Sequence, residues 1–406
     1  MGGSPLNDNI VGRVRVTRAV DIPDRTKFSR FAKAPELGPR ILMFSGGSAL
    51  HSLCRQLKTY THNSIHLITP FDSGGSSAAL RQAFAMPAVG DLRQRLIALA
   101  DETVLGNPEV YRLFDHRLAC ENDNDTLRYE LTSMASGAHP FILDIPANKR
   151  SVIEGRLRSL LLKLPDDFDL RGASVGNLIL TGGYLDGDYD LEGTLNLFSE
   201  LVSARGIVRP VVSDTAHLFA QLEDGRVLSG QHELTGKEVS PIDSPVSRVL
   251  LSANAHRLVP AQVALGESNR ALIKSAELIC FGPGSFYSSL VANLLPKGVG
   301  RAVAANEGPK IFIPNLGIDP EQYGMNFERL LTVLLSYMMQ DDGDIVPADV
   351  LNYVLVDRSH GVYPSPIDEG LLRNLGVELI DIPLVTPQSA PYYDDNKLLQ
   401  TLLSLV

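Results

Sequence analysis

Tryptophan is missing from the chain, and Phe and Tyr bring aromatics to only 6%. A site built on broad stacking surfaces therefore has little material, and a large flat ligand is mildly disfavoured. Cysteine is nearly as scarce. Cys54, Cys120 and Cys280 lie far apart with no Cys-x-x-Cys spacing. An odd, sparse set excludes a disulfide framework and fits a reducing compartment, with each thiol expected as a small buried core group. No stretch approaches the ~18 apolar residues of a membrane helix, and no signal-peptide pattern is present, so the expected location is the cytoplasm and no membrane partner is expected. Positive charge is also in deficit: 37 Lys and Arg stand against 47 Asp and Glu, a net charge of -10. That balance argues against nucleic acid as the main partner, while leaving room for a local basic pocket.

Several familiar sites are excluded by spacing. Of the nine histidines only His62 and His66 stand at His-x-x-x-His spacing, and none forms His-Glu-x-x-His, which leaves zinc without a full motif. Asp186-x-Asp188-x-Asp190 opens like a calcium loop, but Leu191 stands where glycine is needed and Leu197 where a bidentate glutamate belongs. Glu121-x-Asp123-x-Asp125 fails in the same way. The one Gly-x-Ser-x-Gly match, Gly172-Ala173-Ser174-Val175-Gly176, follows no strand-like run and so lacks the strand-to-helix elbow of a serine hydrolase.

What is present is a 406-residue chain, 44% hydrophobic and 21% charged, long enough for one large domain or two ordinary ones. Residues 11–20 alternate and read as an edge strand or N-terminal extension. From Arg40 the pattern sharpens. Ile41-Leu42-Met43-Phe44 runs into Ser45-Gly46-Gly47-Ser48, and Leu50, Leu53, Cys54 and Leu57 follow at helical spacing. That is the strand, turn and helix of a parallel βα unit. A second strand at 65–69 ends in Asp72-Ser73-Gly74-Gly75-Ser76-Ser77. A turn at 88–91 opens another helix, and 153–164 reads as a helix stopped by Pro165. An apolar run at 176–180 precedes a helix near 191–202. Residues 218–222 and 227–232 flank Asp224-Gly225 as a hairpin. Leu278-Ile279-Cys280-Phe281 leads into Gly282-Pro283-Gly284-Ser285, a strand at 310–314 ends at Asn315, and 327–339 is a strong helix. The tail reads strand 353–356, helix 367–375, strand 377–382, helix 394–405.

Four glycine- or serine-rich turns thus each follow a segment read as a strand. In open parallel sheets such turns share one edge. There glycine lets backbone approach a phosphate, and free N–H groups at the next helix start favour negative charge. No turn completes the P-loop or the three-glycine dinucleotide fingerprint, and each alone is equally a tight βα turn capped by serine. Two acids stand out. Asp72 could hold a magnesium ion bridging phosphates or could form an Asx turn. Asp91 could orient a hydroxyl, or could form a capping box with Gln94. Arg93 or Arg95, in the same helical turn, could point at a phosphate.

The combination resembles the CofD/YvcK family, which joins 2-phospho-lactate transferases to bacterial gluconeogenesis factors. Its Gly-Gly-Thr-Gly turn is similar to Gly46-Gly47-Ser48-Ala49, and its Asp-Asp-Gly-Gly-Ser-Ser turn to residues 72–77. Its Pro-x-Gly-Asp-Ile-Arg segment resembles residues 87–93. The His-Ser-x-Gly-Asn-Leu segment matches residues 173–178, and Gly-Pro-Gly-Ser-Leu-Tyr-x-Ser matches residues 282–289, followed by Asn293. The tail looks more like the gluconeogenesis-factor branch. Three positions depart: Ser73 for the second aspartate, Ala49 for the last glycine and Ala173 for the histidine.

The resemblance implies an α/β fold, a Rossmann-like three-layer sandwich with a mostly parallel sheet, a small antiparallel hairpin and a helical insertion. Residues 1–38 would be an extension, 105–170 the insertion, and 340–406 a closing βαβα unit. It also implies a nucleotide-diphosphate-linked small molecule as ligand, either a UDP-sugar or a GDP-linked phospholactyl group, possible Mg2+ at Asp72, and catalytic roles for Asp72 and Asp91. The ligand would be cradled by Ser45, Gly46, Gly47, Ser48, Ser73, Gly74, Gly75, Ser76, Ser77, Arg93, Asn177, Gly282, Pro283, Gly284, Ser285 and Asn315. The expected activity is transfer of a phosphorus-containing group, the alternative being a non-catalytic UDP-sugar-binding regulator. A homodimer is only the default for a soluble oligomer.

Overall fold

Seven short segments form one parallel sheet, whose central strands are buried on both faces as parallel strands require and whose two edge strands are partly exposed. In this computed structural model, which describes residues 19–46, 50–103, 106–236 and 239–406, they are β1 (Ile41–Ser45), β2 (Ile65–Ile68), β3 (Ile207–Pro210), β7 (Leu278–Phe281), β8 (Lys310–Phe312), β9 (Tyr353–Val356) and β10 (Glu378–Asp381). Their order is β10-β9-β8-β7-β1-β2-β3. Phe44 pairs with Leu67 on one side and Phe281 on the other. The chain therefore winds outward from β1 to β3, returns beside β1 as β7, and winds outward again. The reversal places a switch point between β1 and β7, where open α/β sheets form their ligand crevice.

Alternation sorts the side chains into two cores. Ile41, Met43, Leu278 and Cys280 face one layer; Leu42, Phe44, Ile279 and Phe281 face the other. The first layer is helical. It holds α1 (Arg25–Lys33), α2 (His51–Leu57), α3 (Gly75–Phe84), α4 (Gly90–Leu99), α5 (Pro108–Asp115), α6 (Asn124–Ala135), α7 (Pro140–Leu143), α8 (Ala147–Lys163), α9 (Val175–Asp186) and α10 (Leu191–Leu201). The C-terminal α17 (Asp395–Ser404) joins them through Leu398, Leu399, Leu402 and Leu403. The second layer contains a three-stranded antiparallel sheet, β4 (His217–Leu222), β5 (Val227–Ser229) and β6 (Val246–Ser252), in the order β5-β4-β6. With it pack α11 (Gln231–Thr235), α12 (Glu267–Ser275), α13 (Val299–Ala304), α14 (Phe327–Met339), α15 (Pro347–Val350) and α16 (Glu369–Asn374). Helix α14 shows why: Leu330, Leu331, Leu334, Leu335 and Met338 fall on one stripe, and Asn326 caps its start by accepting from Arg329 N.

The three-layer α/β expectation holds, with local differences. The apolar run at 176–180 belongs to α9, every residue of which from Val175 to Leu185 is buried. The turn at 88–91 follows α3 and not a strand. Residues 108–163 are helical, and α8 stops before Pro165 as read. Residues 24–33 lie against α17, where Lys27 Nζ donates to Ser404 O at 2.8 Å. The alternating stretch at 11–18 lies outside the described residues, as do Gly47, Ser48 and Ala49. Cys54 and Cys280 are buried, but Cys120 is exposed, a correction to the core reading of all three. Among the described residues no helix is long and apolar enough to cross a membrane.

Candidate functional site

The turn after β2 is built by its own side chains. Asp72 Oδ1 accepts from Gly74 N at 3.0 Å, the Asx turn that its position allowed. Gly75 then takes φ +50°, and a methyl group added there would meet nothing within 4 Å. Helix α3 begins here with no side chain capping its first turn. Ser77 packs against Gly90 so closely that a methyl group on Gly90 would lie 2.3 Å from Ser77 Oγ and 3.6 Å from Asp72 Oδ2. Only glycine fits, and the contact brings the start of α4 onto the β2 turn.

Helix α4 starts two residues earlier than a cap at Asp91 would have it. Val89 is the N-cap and makes no side-chain cap, so Asp91 is not half of a capping box. Its carboxylate lies instead toward the β1 turn: a methyl group on Gly46 would sit 3.3 Å from Asp91 Oδ2 and 2.9 Å from Ser289 Oγ. Asn177, only 2% exposed, closes the group from α9. Its Nδ2 donates to Ser76 Oγ at 3.0 Å, while its Oδ1 is buried with no hydrogen-bond partner. Gly46, Asp72, Ser76, Ser77, Asp91 and Asn177 are thus brought together. Ser45 anchors the floor: its Oγ accepts from Arg95 Nη2 at 3.3 Å and its carbonyl from Asn293 Nδ2 at 2.9 Å.

The turn after β7 has a different fate. Gly284 N donates to Asn315 Oδ1 at 2.7 Å, and Asn315 Nδ2 donates back to Gly284 O at 2.6 Å. Phe286 N donates to Asp319 Oδ2 at 2.9 Å; Tyr287 N and Ser288 N donate to Glu321 Oε2 at 2.7 and 2.9 Å. Ser288 Oγ donates to Glu321 Oε1. The amides expected to cradle a phosphate already serve internal carboxylates. Burial, then the neighbouring Asp319, raise the Glu321 carboxyl above its ordinary value. Gly284 and Asn315 clasp each other, so the groups expected to face a ligand hold the turn together in this structure. Ser289, one turn further, is what this segment contributes at Gly46.

Arg93 also departs from expectation. It is 4% exposed, and its Nη1 donates to Phe114 O at 3.1 Å under Gly176. It locks α4 to the helical layer and does not face the turns. Burial first, then Arg117, lower it to about 10, opposed by Asp115 and Asp91. Ser73, where the resemblance has its second aspartate, turns the other way. Its Oγ is 2.8 Å from His232 Nδ1, which ties the β2 turn to α11. Arg81, which no motif flagged, is the strongest brace. It donates to the carbonyls of Phe71, Asp72, Met86 and Ala216 and to His217 Nδ1.

No group of three or more His, Cys, Asp or Glu residues fit to hold a metal occurs among the described residues. Mg2+ asks for less: one or two carboxylates, with phosphate oxygens and water completing its shell. Asp72 and Asp91, on either side of the Gly90 contact, fit that demand. Beside them, between α3 and the small sheet, lies a cavity of about 750 Å3. Another, of about 660 Å3, opens at the N-terminal ends of β8, β9 and β10, away from these turns.

A doubly wound parallel sheet with glycine turns gathered at its switch point defines a Rossmann-like α/β protein. The chain belongs to the CofD family, whose model, 2-phospho-L-lactate transferase CofD, matches residues 41–385. Relatives named gluconeogenesis factor set it nearer that branch. The one from Bacillus subtilis is 29% identical over 283 residues, 70% of this chain and 69% of its own length. The one from Halalkalibacterium halodurans is 27% identical over 359 residues, 86% of this chain and 90% of its own. A Nostoc relative is 30% identical over 285 residues. The aligned region spans about half the length of the Nostoc and Clostridium acetobutylicum relatives, 48% and 49%. The crystal structure of a UPF0052 family member from Bacillus halodurans shares the fold, with a TM-score of 0.66 at 24% identity over 90% of this chain and 99% of the other.

Proposed function

We propose that this protein binds a diphosphate-linked, nucleotide-type ligand over the turns after β1 and β2 and the start of α4, and transfers a phosphorus-containing group from it. The observation that carries the reading is one cluster. Two helix starts without capping side chains meet two carboxylates and a 2% exposed asparagine whose Oδ1 has no partner. Helix N–H groups would take the phosphate charge. Mg2+, when bound, would neutralise the developing charge on the phosphate oxygens, with Asp72 holding it. Asp91 would orient the accepting hydroxyl, and Ser76 and Ser77 would supply hydroxyl donors. In such a transfer, positioning and charge stabilisation carry most of the rate.

A second reading, a UDP-sugar-binding regulator without turnover, is favoured by one observation. Ser73 replaces a carboxylate and is bound to His232, which leaves fewer metal ligands. Thermal-shift titration with UDP-sugars, GDP and GTP, with and without Mg2+, tests both. A ligand at ~100 times its Kd adds about 2.7 kcal/mol of stability. Guanine-selective, Mg2+-dependent stabilisation supports the transferase; stabilisation by UDP-sugar without turnover supports the regulator. No shift with any of them overturns the diphosphate reading.

A further inference from the structure

The cavity between α3 and the small sheet is lined on one side by Ser73, Ala78 and Arg81 and on the other by His217, Ser229 and Ala255. It therefore begins at the residue next to Asp72. Its charged side chains are Arg81 and Glu233, of opposite sign, and Glu233 Oε2 accepts from Ser229 N at 2.8 Å. A guanidinium has five N–H donors, and the five acceptors around Arg81 are Met86 O, Phe71 O, Asp72 O, Ala216 O and His217 Nδ1. None of the five is left to grip an anion, and Glu233 on the same lining offsets the positive charge, so neither sign of ligand charge is favoured.

His217 follows from the same geometry. Arginine only donates, so Nδ1 must accept and the ring proton sits on Nε2. Burial, then Arg81, then His256 lower this histidine to about 4, so the ring is neutral at pH 7. The hydroxyls are also committed. Ser229 Oγ donates to Ala255 O at 2.5 Å and Thr215 Oγ1 to Ala85 O at 3.2 Å, leaving both oxygens as acceptors. Donor and acceptors thus sit above an apolar bed of Ala78, Ala85, Ala253 and Ala255. Hydroxyl groups, which both give and take hydrogen bonds, match that lining.

We infer that this cavity takes an uncharged, hydroxyl-bearing ring carried on the phosphate that docks at α3. The inference rests on the phosphate reading for the attachment point and on the cavity alone for the ring. Two ring sources share this chemistry, the sugar and the nucleoside, and the probes separate them. Isothermal titration of the full chain would compare inorganic pyrophosphate, glucose 1-phosphate and UDP. We expect one ring-bearing probe to bind at least roughly tenfold tighter than pyrophosphate. A gain with glucose 1-phosphate places the sugar in the cavity, and a gain with UDP places the nucleoside there.

Ala255→Leu, filling the cavity from the loop after β6, should erase that gain and leave pyrophosphate binding unchanged; Gln82→Leu, from exposed α3 surface, should weaken it in the same direction. A gain that survives both variants, or no gain at all, overturns the inference. Ring-dependent binding that Ala255→Leu removes while pyrophosphate itself fails to bind would keep the cavity and sink the phosphate turn.

Discussion

The turns after β2 and β7 look alike as sequence: glycines and serines after an apolar strand, at the same edge of the sheet. Their physical states are opposite. At β7, Asp319 and Glu321 reach across from residues more than thirty positions later and accept from the amides of residues 286–288. At β2, the start of α3 has no capping side chain, and open space lies above Gly75. A helix start carries about half a positive charge either way. What differs is whether the fold brings its own acceptor or leaves the place to a ligand. A glycine-rich turn is therefore a binding site only where nothing inside the chain has satisfied it first.

The largest effect that would break this contrast is at Glu321. Replacing it with alanine strands three buried donors and should cost about 3–5 kcal/mol, read as a lower urea midpoint, while pyrophosphate affinity of the folded protein stays the same. Loss of pyrophosphate binding in that variant would show that the β7 turn also serves the ligand. A pH series sharpens the point. Because the Glu321 carboxyl is raised in the fold, the native chain holds a proton there that the unfolded chain releases. That contribution is complete below the ordinary carboxylate range and is lost as pH rises through the raised value. Glu321→Gln should flatten this dependence in urea melts taken across the series; an unaltered slope would assign it to other groups.

Next in size is Gly46→Ala. Its methyl group would crowd Ser289 Oγ and the Asp91 carboxylate, so pyrophosphate affinity should fall at least roughly tenfold, with little change in melting temperature. Unchanged affinity would remove the β1 turn from the site. Asp72→Ala should abolish only the Mg2+-dependent part of a ligand's thermal shift; a shift that keeps its Mg2+ dependence would end the metal role. The smallest effect is expected of Ser73→Asp, which restores a carboxylate to the turn at the loss of the His232 hydrogen bond. Stability should move by within about 1 kcal/mol, and Mg2+ dependence should increase. If it decreases instead, the added carboxylate does not face the metal position.

Much of the fold was readable because local pattern and tertiary role agreed. Strands β1, β2, β7, β8 and β9 are mainly apolar runs followed by turns, β10 shows only Leu379 and Ile380 between two acids, and both cores follow from the alternation of the central strands. Strand β3 was not readable: Ile207-Val208-Arg209-Pro210 has an exposed first residue, an arginine and a proline, and pairing with β2 is what makes it a strand. Asn177 was named through resemblance, but its place over Ser76 depends on α9, whose glycine-rich sequence is buried from Val175 to Leu185 and has no helical stripe. The fate of the β7 turn could not be read at all. Its partners are distant in sequence, and an Asp or Glu in a loop gives no sign of which helix it will cap. Arg81 escaped notice for the same reason, since its five acceptors come from three separate segments.

Amide hydrogen exchange with and without pyrophosphate and Mg2+ tests the central contrast most directly. The amides of Gly75, Ser76, Ser77 and Asp91 should slow on ligand addition, while those of Phe286, Tyr287 and Ser288 should be slow already and stay so. New protection at residues 286–288, with none at residues 75–77, would contradict the account.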